Sequence, residues 1–242
     1  MPSRTIWETQ PGLGELDELK NQWILAGNDF RPTKPIRRHN VTNHTNDQSV
    51  DIVVETAFGR IAMRLDAAHA PRTVANFLFY IDGGFYDGGK FHRTVRLDNQ
   101  SNSHLKTEAI GAGIDPDADR ANLPNDTIAI EVIQGGIDPD RSAEQRPPIA
   151  LERTSETGLH HRDGTISMAR LTPDSAVSDF FICVNDQQEL DFGGMRNPDG
   201  QGFAAFGQVV DGMDVVRTIH VQHANGQSLE PHVIITRASR VG

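Results

Sequence analysis

The sequence predicts a mainly β fold, a closed barrel or a sandwich. From Val50 onward, short runs rich in β-branched and aromatic residues recur between Gly, Pro, Asn and Asp turn signals. About eight such runs are readable. Only two segments in this region have helical periodicity, too few to cover the faces of a parallel sheet, so α/β winding is the weaker class.

The elements follow in order. Asp51–Thr56 and Arg60–Leu65 flank Ala57-Phe-Gly59 as a hairpin-like pair. Pro71–Ile81 predicts a helix: Pro71 suits the first turn, Val74, Phe77, Leu78 and Ile81 share one face, and Gly83 stops it. Further strands are expected at Lys90–Arg96, Ile128–Gln134, Gly164–Ala169, Phe180–Val184, Phe203–Val210 and His232–Arg240, with a second helix at Gly212–His220. Residues 97–129 are rich in Asp, Asn, Gly and Pro and predict a long loop, whose ends flank Arg93 and Gln134. Gly-Ile-Asp-Pro-Asp occurs twice, at 113–117 and 136–140, too short a repeat to build a solenoid. Residues 1–48 read as a separate N-terminal extension, with 49–242 as the main domain. The extension has one amphipathic helix, Gly14–Ala26, whose stripe is Leu16, Leu19 and Trp23, and then a polar linker from Arg37 to Ser49.

Composition narrows the function. The chain has 242 residues and a net charge of −10, which disfavours binding to nucleic acid or to anionic lipid. No apolar run approaches a membrane span, and the N-terminus lacks the basic start and apolar core of a secretory signal, so a cytoplasmic location is expected; a signal already removed would make it periplasmic. The single cysteine, Cys183, sits in the apolar run Phe-Phe-Ile-Cys-Val and reads as a small buried residue. No nucleophile elbow, phosphate loop, dinucleotide fingerprint or zinc motif is present. His160 and His161 are adjacent and on a strand would face opposite sides, which argues against a shared metal.

What remains is an ordered series of segments. These are Gly84-Phe-Tyr-Asp-Gly-Gly-Lys-Phe-His-Arg93, Ile133-Gln-Gly-Gly136, Gly164-Thr-Ile-Ser-Met-Ala169, Ser178-Asp-Phe-Phe-Ile182, Leu190-Asp191 and Phe203-Ala-Ala-Phe-Gly-Gln-Val-Val-Asp-Gly-Met213. Together they resemble the cyclophilin family of peptidyl-prolyl isomerases, and the run from Leu190 to Gly202 resembles a bacterial branch. The resemblance covers about residues 50–240. It implies an eight-stranded antiparallel β-barrel capped by two helices. The implied activity is cis–trans isomerisation of Xaa-Pro bonds in proline-containing polypeptides, assisting folding, with no metal and no cofactor.

By family position, Arg93 supplies a guanidinium to the prolyl nitrogen, Gln134 holds a backbone carbonyl and Phe181 floors the proline pocket. The remaining substrate contacts implied are Val132, Glu131, Ala169, Arg170, Asp179, Glu189, Leu190 and Phe203. Taken alone, Arg93 reads as a surface strand arginine; it is the surrounding Phe-His-Arg and Ile-Gln-Gly-Gly motifs that favour the catalytic role. Phe180 and Phe181 alternate faces, so one of them belongs to the core. Four positions depart from the usual family residues: Glu131 for a pocket phenylalanine, Glu189 for a tryptophan, Asp179 for a glutamine and Arg170 for an asparagine. They predict a more charged groove and weak binding of cyclosporin, because Glu189 offers neither ring nor indole donor. The alternative functions are a non-catalytic proline-peptide binding module and a scaffold acting through residues 1–48.

Overall fold

The computed structural model of the protein describes residues 48–100 and 128–241. The expected extension helix, its linker, the body of the long loop and the first Gly-Ile-Asp-Pro-Asp copy lie outside the described residues. Nine strands are described: β1 (Ser49–Thr56), β2 (Gly59–Asp66), β3 (Lys90–Val95), β4 (Val132–Gly136), β5 (Thr165–Met168), β6 (Phe180–Cys183), β7 (Ala204–Asp211), β8 (Ala224–Asn225) and β9 (Ser228–Arg240). The helices are α1 (Pro71–Asp82), the single turn α2 (Thr154–Thr157) and α3 (Met213–His220).

Eight strands close a ring in the order β1-β2-β7-β5-β6-β4-β3-β9, and β9 pairs back onto β1. The pairings between strands are antiparallel. The two-residue β8 stands outside the ring and pairs only with β9. The expected closed eight-stranded antiparallel barrel is therefore the fold. Two strand starts differ from the sequence reading by four residues. β4 starts at Val132 rather than Ile128, because the main-chain N–H of Ile130 bonds the Gln100 side chain (3.0 Å) and the Glu131 carbonyl accepts from Val184 (2.9 Å). β9 starts at Ser228 rather than His232, because its first residues form a hairpin with β8.

The barrel interior is built from inward residues such as Ile52, Ile61, Met63, Leu65, Phe91, Ile133, Ile166, Phe180 and Phe206, all buried. The expected apolar face of α1 packs on it: the Phe77 ring lies 5.0 Å from Phe206, 5.2 Å from Tyr86 and 5.3 Å from Phe180, centroid to centroid. Such tilted and edge-on ring pairs add to the area they bury. Val216 and Ile219 of α3 join the same core. The residue that lets the chain turn after α1 is Gly84, with φ of +64°, rather than Gly83, whose φ of −82° any residue adopts.

The start of α1 has no side-chain cap of its own, since Ala70 stands at the N-cap. Glu152, far along the chain and buried, replaces it. Its carboxylate accepts from the main-chain N–H groups of Arg72 (3.1 Å) and Thr73 (2.8 Å) and from the Thr73 hydroxyl (2.7 Å). These are donors that a helix start leaves unpaired, and a negative charge there is favoured by the helix dipole. Glu152→Ala is expected to cost about 1–3 kcal/mol by stranding those donors, read as a fall of several degrees in the thermal unfolding midpoint. Glu152→Gln, which keeps one acceptor, is expected to lose less.

Candidate active site

The register of the barrel assembles the site. Arg93 of β3 lies opposite Gln134 of β4, Gln134 lies opposite Phe181 of β6, and Phe181 lies opposite Ser167 of β5. Four strands thus place a cation, an amide, an aromatic ring and a hydroxyl in one row across the outer face. Simple alternation would not put Arg93 there. Phe91 points into the core, and a residue two further on should do the same. Between them the pairing with β4 steps from Phe91↔Gly135 to Arg93↔Gln134, so His92 is an extra residue. This β-bulge reverses the parity of β3 and turns Arg93 outward.

Outside the barrel wall, Val95, Ile130, Val132, Phe181, Cys183 and Leu190 form a second apolar cluster, with Ala169 and Phe203 packed against it. It is the base of a cavity of about 480 Å³, within the usual range for a ligand site. Arg93, Val132, Gln134, Ala169, Arg170, Asp179, Phe181, Leu190 and Phe203 all line it. Phe180 takes the core side and Phe181 the cavity side. The Phe203 ring meets Phe181 edge-on at 5.5 Å.

Two expected contacts lie outside the cavity lining. Glu131, just before β4, accepts from the Asn185 side chain (2.9 Å) on the exposed surface, and its neighbour Ile130 fills the wall instead. Glu189 folds back to accept the main-chain N–H of Met195 (2.8 Å). Both carboxylates turn away because a charge facing an apolar wall loses water without gaining a partner. Sequence reading also missed Leu171, which is 87% exposed, and Ser175, Val177 and Arg196 in the lining. They sit in irregular segments, where no periodicity marks orientation.

Charges that stay in the site have polar partners. The Arg170 side chain is only 1% exposed and bonds Asp199 through two nitrogens (2.7 and 2.9 Å) and the Gly202 carbonyl (2.7 Å). Its guanidinium carbon also lies 4.8 Å from the Phe203 ring centre. Burial raises the Asp199 pKa, but hydrogen bonds from Arg170 and the Gln201 backbone outweigh it and hold it below the ordinary value. Asp179 accepts from Gln134 Nε2 at 3.2 Å, and His92 Nε2 lies 3.7 Å from the same oxygen. Burial holds the His92 pKa below its ordinary value despite that carboxylate.

Beneath Phe181, His161 is wholly buried and stacks on the ring, with centroids 6.0 Å apart and planes 17° from parallel. Its Nδ1 bonds Asp191 (2.7 Å) and its Nε2 bonds the Ser167 hydroxyl (2.9 Å). His160 reaches the same Asp191 through Nδ1 (2.8 Å). The two histidines occupy a loop, so they converge on one carboxylate rather than diverging as on a strand. The Ser-His-Asp connectivity does not make a hydrolase, because Ser167 is fully buried and cannot meet a substrate. Burial holds the His161 pKa down and Asp191 only partly offsets it, so the ring is neutral. It then donates from Nδ1 to the carboxylate and accepts the serine proton at Nε2. Burial raises the Asp191 pKa, but bonds from the His161 side chain and backbone and from His160 bring it below the ordinary value.

Among the described residues no group of three or more His, Cys, Asp or Glu is placed to hold a metal, and no helix is long and apolar enough to cross a membrane. The described ends of the long loop meet at this face: the Gln100 side chain donates to the carbonyls of Arg96 (2.8 Å) and Ile130 (2.9 Å).

The family model for cyclophilin-type peptidyl-prolyl cis-trans isomerases matches residues 50–240. A Streptomyces antibioticus protein named peptidyl-prolyl cis-trans isomerase cyp18 is 34% identical over 169 residues, 69% of this chain and 81% of that protein. Escherichia coli peptidyl-prolyl cis-trans isomerase B is 33% identical over 180 residues, 74% of this chain and 82% of its own. A Cryptosporidium parvum cyclophilin-type isomerase structure superposes with a TM-score of 0.56 at 19% identity, covering 80% of this chain and 98% of that one. It has also been solved in the presence of the dipeptide Ala-Pro.

The His161 ring gives a pH dependence of known sign. Its pKa in the folded protein lies below the unfolded value of about 6.5, so the unfolded chain takes up a proton first as pH falls. Stability is full above that value and declines below it, and Asp191 adds a second loss below about pH 4. Thermal unfolding of the wild type and His161→Gln between pH 7.5 and 5 is expected to give the variant a lower midpoint at pH 7.5 and a shallower decline. Parallel declines would remove His161 from this dependence.

Proposed function

The chain belongs to the cyclophilin-type peptidyl-prolyl cis-trans isomerases, and we propose that it turns Xaa-Pro bonds with Arg93, Gln134 and Phe181 as its working residues. The amide's partial double bond sets a barrier of about 18–20 kcal/mol, which makes the uncatalysed exchange slow. Halfway through the rotation, resonance is lost and the prolyl nitrogen becomes a pyramidal base. No bond breaks and no proton is consumed, so a donor aimed at that nitrogen is sufficient. Catalysis follows if the donor is stronger toward the twisted state than toward either planar one.

The observation that carries this reading is the row Arg93–Gln134–Phe181 along one cavity wall. Phe181, with Val132, Leu190 and Phe203, gives an apolar slot for the pyrrolidine ring. The Arg93 Nη1–H donates to Gln134 Oε1 at 3.0 Å, which leaves the Gln134 amide N–H groups to meet a peptide carbonyl and Asp179. The apolar cluster beneath the slot lowers the local polarity on that side, and a guanidinium acts more strongly where less solvent surrounds it. Assisting the folding of proline-containing chains follows from the same chemistry.

Cyclosporin, a large apolar cyclic peptide, is expected to bind weakly. Glu189 occupies the position where sensitive members carry a tryptophan, and its carboxylate is engaged with Met195 away from the cavity. Loss of an aromatic anchor at an interface costs on the order of 2 kcal/mol, about thirtyfold in dissociation constant.

Exchange spectroscopy on an Ala-Pro peptide tests the assignment. Arg93→Ala is expected to slow catalysed exchange at least about tenfold, near 1.4 kcal/mol of transition-state stabilisation, with the barrel intact by circular dichroism. Phe181→Ala is expected to weaken peptide binding by a similar factor. Wild-type exchange in a folded Arg93→Ala protein would remove Arg93 from the mechanism. Binding without any exchange would make the site a peptide-binding module.

A further inference from the structure

β8 adds nothing to barrel closure, since the ring of eight is complete through the pairing of β9 with β1. What the β8–β9 hairpin does is carry Gln227. Its two-residue turn runs through Gly226 and Gln227 between the paired Asn225 and Ser228, and Gly226 has the positive φ, +59°, that a tight hairpin turn requires at this position. The turn is fastened to the strand bearing Arg93. The Thr94 main-chain N–H donates to the Gln227 carbonyl (2.9 Å), and the Asn99 side chain donates to the Gly226 carbonyl (3.0 Å). The side chain of Gln227 thus springs from a fixed base.

Its single amide oxygen accepts from both Arg93 Nε (2.9 Å) and Arg93 Nη2 (2.6 Å). The Nε and Nη2 hydrogens of a guanidinium point the same way in one plane, so an oxygen taking both sets the rotation of that plane. Gln134 takes Nη1 from the other side. The cation is gripped by β4 and by the hairpin, while its outer face borders the cavity. Gln227 does not line the cavity itself.

We propose that Gln227 is a positioning residue: the β8–β9 hairpin is an arm that holds the Arg93 guanidinium plane toward the prolyl nitrogen. The inference rests on the reading of Arg93 as the donor in catalysis. Gln227 acts through Arg93 without touching the substrate. A guanidinium free to rotate would still attract the peptide, but would spend less time aligned with the twisted amide. Loss of Gln227 therefore affects turnover more than affinity.

The test uses the full chain, ¹⁵N-labelled, with an Ala-Pro peptide. Titration gives the dissociation constant, exchange spectroscopy gives the rate of interconversion on the enzyme, and solvent exchange reports the Arg93 Nε–H. Gln227→Met keeps the length and removes the acceptor; the Thr94 bond goes to the main chain, so the hairpin stays. The expected result is a bound interconversion rate about tenfold lower, a dissociation constant within about twofold of wild type, and faster exchange of the Nε–H. Gln227→Glu, which restores an acceptor, is expected to restore the Nε–H protection and to recover rate relative to Gln227→Met. In the Arg93→Lys background, Gln227→Met is expected to have no further effect. A wild-type rate in Gln227→Met alongside an impaired Arg93→Lys overturns the inference while leaving Arg93 in place. A loss shared equally by affinity, rate and thermal midpoint also overturns it, as a purely structural effect. A wild-type rate in Arg93→Lys and Arg93→Ala overturns the reading of Arg93 and the inference with it.

Discussion

β3 carries one residue more than β4 beside it, and this surplus at His92 decides which way Arg93 points. A strand has two faces and a period of two, so a barrel sends Phe91 inward and would send Arg93 after it. A guanidinium inside a closed apolar barrel would lose its hydration without repayment. The bulge lets one short strand serve both the core, through Phe91, and the site, through Arg93 in the cavity lining and Val95 in the apolar cluster at its base. The row of functional side chains across β3, β4 and β6 exists only because of that shift.

The rest of the site keeps this row still. Interiors are packed densely enough that a ring held at one face and at its edge has few alternatives. Phe181 has Phe203 at its edge and the neutral His161 ring stacked behind it. His161 is in turn fixed by Asp191 and Ser167. No buried side-chain nitrogen or oxygen among the described residues lacks a hydrogen-bond partner. The cavity can therefore hold several charges close to apolar walls, because Arg170 has Asp199 and buried Arg196 has the Ile128 carbonyl (2.6 Å). A reaction that breaks no bond needs this kind of fixed field more than it needs an acid or a nucleophile.

The four departures from the usual family residues divide by where their side chains go. Arg170 and Asp179 remain in the cavity lining, each engaged with a partner. Glu131 and Glu189 leave it, and the wall is completed by Ile130, an aliphatic residue one position earlier in the chain. The groove is thus more apolar at its base than the sequence suggested, and the charges it keeps are hydrogen-bonded.

The residues alone narrowed the fold to a closed barrel or a sandwich, and the ordered motifs that resemble cyclophilins singled out the barrel. Short β-branched runs, a helix with Val74, Phe77, Leu78 and Ile81 on one face, and glycines at the turns are local signals, set by side-chain size and backbone conformation. The ordered motifs also singled out Arg93, Gln134 and Phe181 as candidates, and strand pairing brings them side by side once the bulge has turned Arg93 outward. The tertiary structure alone decided what rests on contacts between distant segments. Those are the bulge at His92, the capping of α1 by Glu152, the turn of Glu131 and Glu189 away from the cavity, and the reach of Gln227 to Arg93. Glu152 stands 79 residues from Thr73, and Gln227 stands 134 from Arg93. Spacing along the chain says nothing of such partners, because a hydrogen bond is fixed by position in space and a strand's face by how many residues oppose it.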